Sequence, residues 1–136
     1  MGRLTFVDSD VLIAAATGRG DLAVQALSIL DDPERTFASS PFVELEVLPK
    51  AQFGRREEEV EFYRTFFAAV TSWPTVSEEL TSRAMEEAAG AGLNAMDALH
   101  VASACSIQAE ELVTGERPDR PLMRVRSIAI RSLRQG

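Results

Sequence analysis

Two glutamates stand two positions apart in "SSPFVELEVLPK", residues 39–50, a segment otherwise largely apolar. On a helix turning about 100° per residue, Glu44 falls about 200° from Phe42, in the one gap of the apolar arc, and is expected to face solvent. Glu46 falls about 40° from Phe42 and is bracketed by Phe42 and Val43 in the middle of that arc. An ionised carboxylate there is costly unless it is paired or binds a metal. Three readings stay open: a buried Glu–Arg pair, a helix face wetter than the wheel suggests, or an oxygen ligand for a cation. Asp8 follows the run "RLTFV" at the end of a first strand, where a carboxylate caps the next helix or meets a ligand. Asp97 stands three residues after Asn94, the N3 place of a box-like cap, and Glu116 lies in the turn "TGERPDRP". Each acid has a local explanation, yet Asp8, Glu46, Asp97 and Glu116 fall at helix starts and strand ends of one α/β sheet. Four carboxylates converging on one cleft repel unless a cation sits between them. Hard divalent ions such as Mg²⁺ or Mn²⁺ take oxygen ligands of this kind.

Other chemistry-bearing residues have simpler accounts. Asp10 sits in the first turn of the first helix, where the helix dipole explains it. His100, one turn after Asp97, is the only histidine. A zinc site would want a second one, so His100 reads as a hydrogen-bonded packing residue. Cys105 shares the side of Val101 and Ala102 and reads as core, and no nucleophile triad is available. Ser9 reads as a cap or a support to the acids. Thr114 either holds a water or ends a strand. Trp73 and the cluster Phe62, Tyr63, Phe66 and Phe67 read as core or subunit contact.

The elements that must position the acids follow from periodicity. "RLTFV" and "RTFAS" read as strands, "ELVTG" as a third, and "LMRVRSIAIRSL" as one or two closing strands. Helices are expected over "VLIAAA", "DLAVQALSIL", "RREEEVEFYRTFFAAV", "SEELTSRAMEEAAGAG" and "NAMDALHVASACSIQA". The segment after Ser40 is a further helix, with Ser40 as N-cap, Pro41 in the first turn and Pro49 limiting its far end. Short strands alternating with helices predict a mostly parallel central sheet covered by helices on both faces, a three-layer α/β/α sandwich. Ligands in such sheets bind beyond the carboxyl ends of the strands, where Asp8 and Glu116 lie.

The 136 residues, 46% of them apolar, suffice for one domain spanning 1–136 with a real core. No apolar run approaches the ~18 residues of a membrane span, and the N-terminus lacks a secretory apolar stretch. With a single cysteine, a cytoplasmic address is expected. The net charge of −7 argues against a nucleic-acid partner, but its distribution is uneven. From Gly115 onward six arginines oppose Glu116 and Asp119, leaving +4 there and −11 on the rest. A basic edge on an acidic body suits a phosphate-bearing ligand meeting carboxylates; it equally suits an edge strand protected from aggregation by arginine.

Taken in order, "VDSDVLI", "SSPFVELEVL", "NAMDALHVASA" and "LVTGE" resemble the PIN-domain family of nucleases, which includes the VapC-type toxins of toxin–antitoxin pairs. The resemblance covers nearly the whole chain. It implies an α/β/α sandwich in which acidic residues bind Mg²⁺ or Mn²⁺ and cut RNA. On that resemblance the first-strand aspartate is Asp8, the helix glutamate six positions after Ser40 is Glu46, and the acid of the "DALHVA" motif is Asp97. The fourth position departs from the pattern. The family usually has Asp or Asn two residues after the threonine, whereas Thr114 and Gly115 here lead to Glu116, one methylene longer.

The resemblance implies a metal-dependent endoribonuclease, an RNA substrate, an antitoxin partner if the chain is half of a toxin pair, and a homodimer. No membrane partner is expected. Two rival readings accompany it. A catalytically inactive PIN-like module would bind or regulate without cutting. A phosphatase on a related fold would use Asp8 as nucleophile with Asp10 completing a D-x-D pattern, but Lys50 is the only lysine and does not stand where that chemistry wants one.

Overall fold

The computed structural model describes residues 2–18 and 20–134. Four strands, β1 (Arg3–Val7), β2 (Arg35–Ala38), β3 (Glu111–Thr114) and β4 (Ala129–Ser132), form one sheet in the order β2-β1-β3-β4, every pairing parallel. Six helices accompany them among the described residues: α1 (Ser9–Thr17), α2 (Gly20–Leu30), α3 (Pro41–Phe53), α4 (Glu57–Ala69), α5 (Glu78–Ala91) and α6 (Ala95–Ser106). Consecutive strand residues point to opposite faces, and Phe6 with Val7, like Leu112 with Val113, are completely buried. Both faces of the central strands are therefore covered, which is why these strands are continuously apolar. The expected α/β/α sandwich is the observed one. Among the described residues, no helix is long and apolar enough to cross a membrane.

Order reverses between β1 and β3, so the loops leaving these two neighbours diverge and open a crevice at their carboxyl ends. Register fixes its floor: Val7 pairs with Val113, and the Asp8 amide donates to the Val113 carbonyl at 2.9 Å. Asp8 and Thr114 thus sit side by side at the mouth.

Three local expectations need correction. Pro49 does not limit its helix; α3 runs through it to Phe53. Pro49 removes one intrahelical hydrogen bond, but Ala51 beyond it is buried in the core and the Gly54 and Arg56 amides bond back to Lys50 and Ala51 carbonyls. Tertiary packing overrides the local penalty. The stretch "LMRV" is not a strand: Pro121–Arg124 is a 3-10 turn, and only β4 remains of the closing region. Finally, Glu44 and Glu46 are both half-buried, and Leu45 between them faces out, 64% exposed.

Far from the crevice, Glu111 at the start of β3 is buried with Arg35 (3.0 Å), and Thr5 donates to the same carboxylate at 2.8 Å. Arg35 also pairs with Asp32. This network ties β1, β2 and β3 together at the end opposite the acids.

Candidate metal centre

Asp8 terminates β1 and is the N-cap of α1, so the capping explanation and the ligand explanation both find it in place. Its Oδ1 accepts from the Ser9 amide and its Oδ2 from the Thr114 hydroxyl, both at 2.8 Å. Thr114 thus ends β3 and also orients Asp8. Burial, followed by the charge of Asp10, pushes the Asp8 carboxyl up to about 7, although His100 and Thr114 pull the other way.

Glu46 reaches the same place from α3, whose start is held by Ser40 accepting from the Phe42 and Val43 amides. Its Oε1 accepts from the Ser9 hydroxyl at 2.5 Å and contacts His100 Nε2 at 2.6 Å. Where a buried pair is expected to use an arginine, the structure puts His100 instead. The hydrogen bond from His100 comes first among the influences that hold Glu46 below the usual carboxylate range, with burial opposing.

His100 is buried on α6, with Nε2 facing Glu46 at 2.6 Å and Asp8 at 3.9 Å. Burial disfavours its charged form, but the Glu46 bond and the charges of Asp8, Glu46 and Asp97 outweigh burial and raise its pKa. It is the hydrogen-bonded histidine that the lone-residue reading expects, and it is also part of the site. Asp8, Glu46 and His100 each offer a ligand atom within 4.8 Å of the others. Nε2, however, faces Glu46 at 2.6 Å, an ionised carboxylate that can only accept, so it carries the proton and its lone pair is not free for a metal. The oxygen set fits a hard divalent cation, with His100 supporting it.

Asp97 and Glu116 lie outside that tight cluster but line the same cleft, an opening of about 720 Å³ that also holds Asp8, Asp10, Glu46 and Lys50. Asp97 is fixed by Asn94, which accepts from its amide at 2.8 Å and donates to its carboxylate at 3.3 Å. Burial, then the charge of Glu116, raises the Asp97 pKa. The Glu116 amide donates to Thr114 Oγ1, while its carboxylate pairs with Arg120 at 3.6 Å. All four acids singled out from the sequence therefore line one cleft.

Asp10 belongs here too, although the sequence explains it by the helix dipole and otherwise only through the D-x-D pattern of the phosphatase reading. It accepts from the Gly115 amide at 3.0 Å, lines the cleft, and has its pKa raised, chiefly by burial. The helix dipole is an incomplete account of it. The signal that could have found it is its place two residues after a strand-end aspartate, facing the turn after β3.

Residues 5–120 match the PIN domain family. Comparison with the curated proteins finds no match. Among solved structures, the fold is similar to VapBC2 from Rickettsia felis, bound to a DNA fragment from its promoter: TM-score 0.72, 16% identity, covering 95% of this chain and 98% of that one. It is also similar to VapBC-1 from nontypeable Haemophilus influenzae, with TM-score 0.69 and 15% identity over 97% of this chain and 99% of that one. FitAcB from Neisseria gonorrhoeae gives 0.64 and 12%, over 95% and 97%. At such identities the likeness speaks for the fold.

Proposed function

Since the chain belongs to the PIN domain family, a family of nucleases, we propose that it is a Mg²⁺- or Mn²⁺-dependent endoribonuclease and the toxin of a toxin–antitoxin pair. One observation carries the reading: four acids from separate parts of the chain line a single cleft at the carboxyl ends of β1 and β3, and Asp8 there is pushed up to about 7. Folding that strains an acid in this way is repaid when a cation replaces the proton. Asp8, Glu46, Asp97 and Glu116 would hold the ion. A divalent cation so held lowers the pKa of water and offsets charge on the phosphate oxygens.

The protein's own groups have definite tasks. Thr114 and the Ser9 amide hold the Asp8 carboxylate, Ser9 Oγ and His100 hold that of Glu46, and Asn94 holds that of Asp97. In hydrolysis the attacking water's oxygen bonds to phosphorus, the bond from phosphorus to the leaving ribose oxygen breaks, the water's proton passes to a cleft carboxylate, and the leaving oxygen takes a proton from solvent.

The similar VapBC structures support an antitoxin partner, and a homodimer in the cytoplasm completes the reading. Purified protein is expected to cut RNA with Mg²⁺ or Mn²⁺ and to stop with EDTA. Asp8→Asn, Glu46→Gln and Asp97→Asn are expected to fold and not to cut; cleavage retained in all three rejects the site. A second reading, a PIN-like module that binds without cutting, is favoured by one observation: Glu116 is both longer than the family's usual acid and engaged by Arg120. Failure to take up Mn²⁺ at millimolar concentration would select it.

A further inference from the structure

An acidic protein that handles RNA needs a place for the phosphates on either side of the cut. Six arginines crowd the last 22 residues, but most are engaged within the described structure. Arg117 pairs with Asp119 and Arg120 with Glu116, while Arg124 bonds the Ala91 carbonyl and Arg134 the Gly115 carbonyl. Arg131 lines a separate surface cleft with Arg3 and Asp32.

Within the described structure Arg126 and Arg131 make neither an ion pair nor a side-chain hydrogen bond, but neither lines the acid cleft. Lys50, Arg55 and Arg64 have neither as well, are exposed, and lie at or beside the acid cleft. Among the described residues Lys50 is the only cation lining the acid cleft, one turn or about 6 Å beyond Glu46 on α3. Past it, a groove of about 330 Å³ opens where α3 meets α4, lined by Gln52, Arg55, Arg56 and Arg64 along with Glu57 and Glu61. The two features adjoin: Arg56 Nη2 donates to the Lys50 carbonyl while its Nε is neutralised by Glu59. Arg55 holds φ at 54°, a left-handed conformation that costs any residue but glycine. Gly54 immediately before it could have taken that role, yet it is the arginine that turns there and presents its side chain to the groove.

We propose that a single RNA strand leaves the acid cleft over Lys50 and lies in the groove between α3 and α4, with its phosphates against Lys50, Arg55 and Arg64. The proposal rests on the ribonuclease reading and gives it a direction of travel. A single strand fits better than a duplex, because a few cations in one narrow groove that also holds Glu57 and Glu61 can track only one backbone.

The test is binding of a short mixed-sequence single-stranded RNA, followed by fluorescence anisotropy with Ca²⁺ in place of Mg²⁺, between 50 and 200 mM salt. Lys50→Ala/Arg55→Ala/Arg64→Ala is compared with wild type and with Arg126→Ala, another exposed arginine. Each single-strand phosphate contact contributes about 0.7 to the salt slope, so losing three flattens it by about 2; wild-type affinity then falls roughly 20-fold more than the variant's over that range. Arg126→Ala should match wild type. A slope unchanged in the triple variant, or flattened equally by Arg126→Ala, overturns the proposal, as does a wild type that binds no RNA. Cleavage is read separately with Mn²⁺: KM should rise with kcat within about twofold, since uniform binding is lost. Wild type that binds along the groove but does not cut would overturn the ribonuclease reading and leave the groove standing.

Discussion

Asp8 couples the protein's stability to pH in a direction that a bound cation reverses. Burial, with the charge of Asp10 second, lifts its pKa from the ordinary 3.8 to about 7. A group whose pKa rises on folding contributes stability that is fully present below its unfolded value and lost as pH climbs through the folded one. Stability should therefore drain away between pH 3.8 and about 7, by at most about 4 kcal/mol at roughly 1.4 kcal/mol per pH unit. Asp10, Asp97 and His100, all raised, act in the same sense; Glu46, lowered, acts oppositely and loses its contribution as pH falls below 4.5. Asp8→Asn isolates the principal effect, because asparagine keeps an oxygen for the Ser9 amide and carries no charge. For a chain of this length each kcal/mol moves Tm by roughly 3.5 °C, so near pH 8 the cation-free variant should melt up to about 14 °C above wild type, and near pH 4 level with it. Mn²⁺ competes with the Asp8 proton, so its gain in wild-type Tm should grow by about 5 °C per pH unit from pH 5 to 7, while the variant gains nothing. Scanning fluorimetry across this range decides it. A wild type as stable as Asp8→Asn at pH 8, or a Mn²⁺ response that ignores pH, refutes the reasoning.

His100→Asn removes the donor that holds Glu46 and is expected to lower kcat or Mn²⁺ affinity by about 10- to 100-fold, read by cleavage kinetics and metal titration; loss confined to stability would make His100 a packing residue only. Arg35→Met leaves the Glu111 carboxylate buried without its closest cation and should cost about 3–5 kcal/mol in urea unfolding, with Mn²⁺ affinity unchanged because the pair lies at the other end of the sheet. Ser40→Ala removes the cap of α3 and should cost about 1 kcal/mol in the same assay.

Much of this arrangement is legible in the amino-acid sequence alone. The sandwich follows from short apolar runs alternating with capped helices, and the caps at Ser40 and Asn94 are both in use. Glu46 stands out because helical periodicity is local and a charge on an apolar arc violates it. What periodicity cannot supply is the partner: His100 lies 54 residues away, and only the packing of α3 against α6 joins them. Asp10 escapes for the opposite reason, since a first-turn acid satisfies a local rule and conceals a contact to Gly115 at the end of a distant strand. The closing segment misleads because Leu122, Val125 and Ile128 are buried at every third residue, a spacing set by the 3-10 turn and the bends after it and not by a strand's period of two.

Calorimetric titration of Mn²⁺ into the wild-type protein near pH 6, repeated in buffers of different ionisation enthalpy, addresses the shared cation most directly. Because Asp8 is mostly protonated there, uptake should release roughly one proton per ion, and Asp8→Asn should neither bind nor release. Binding without proton release, or equal binding by the variant, would contradict it.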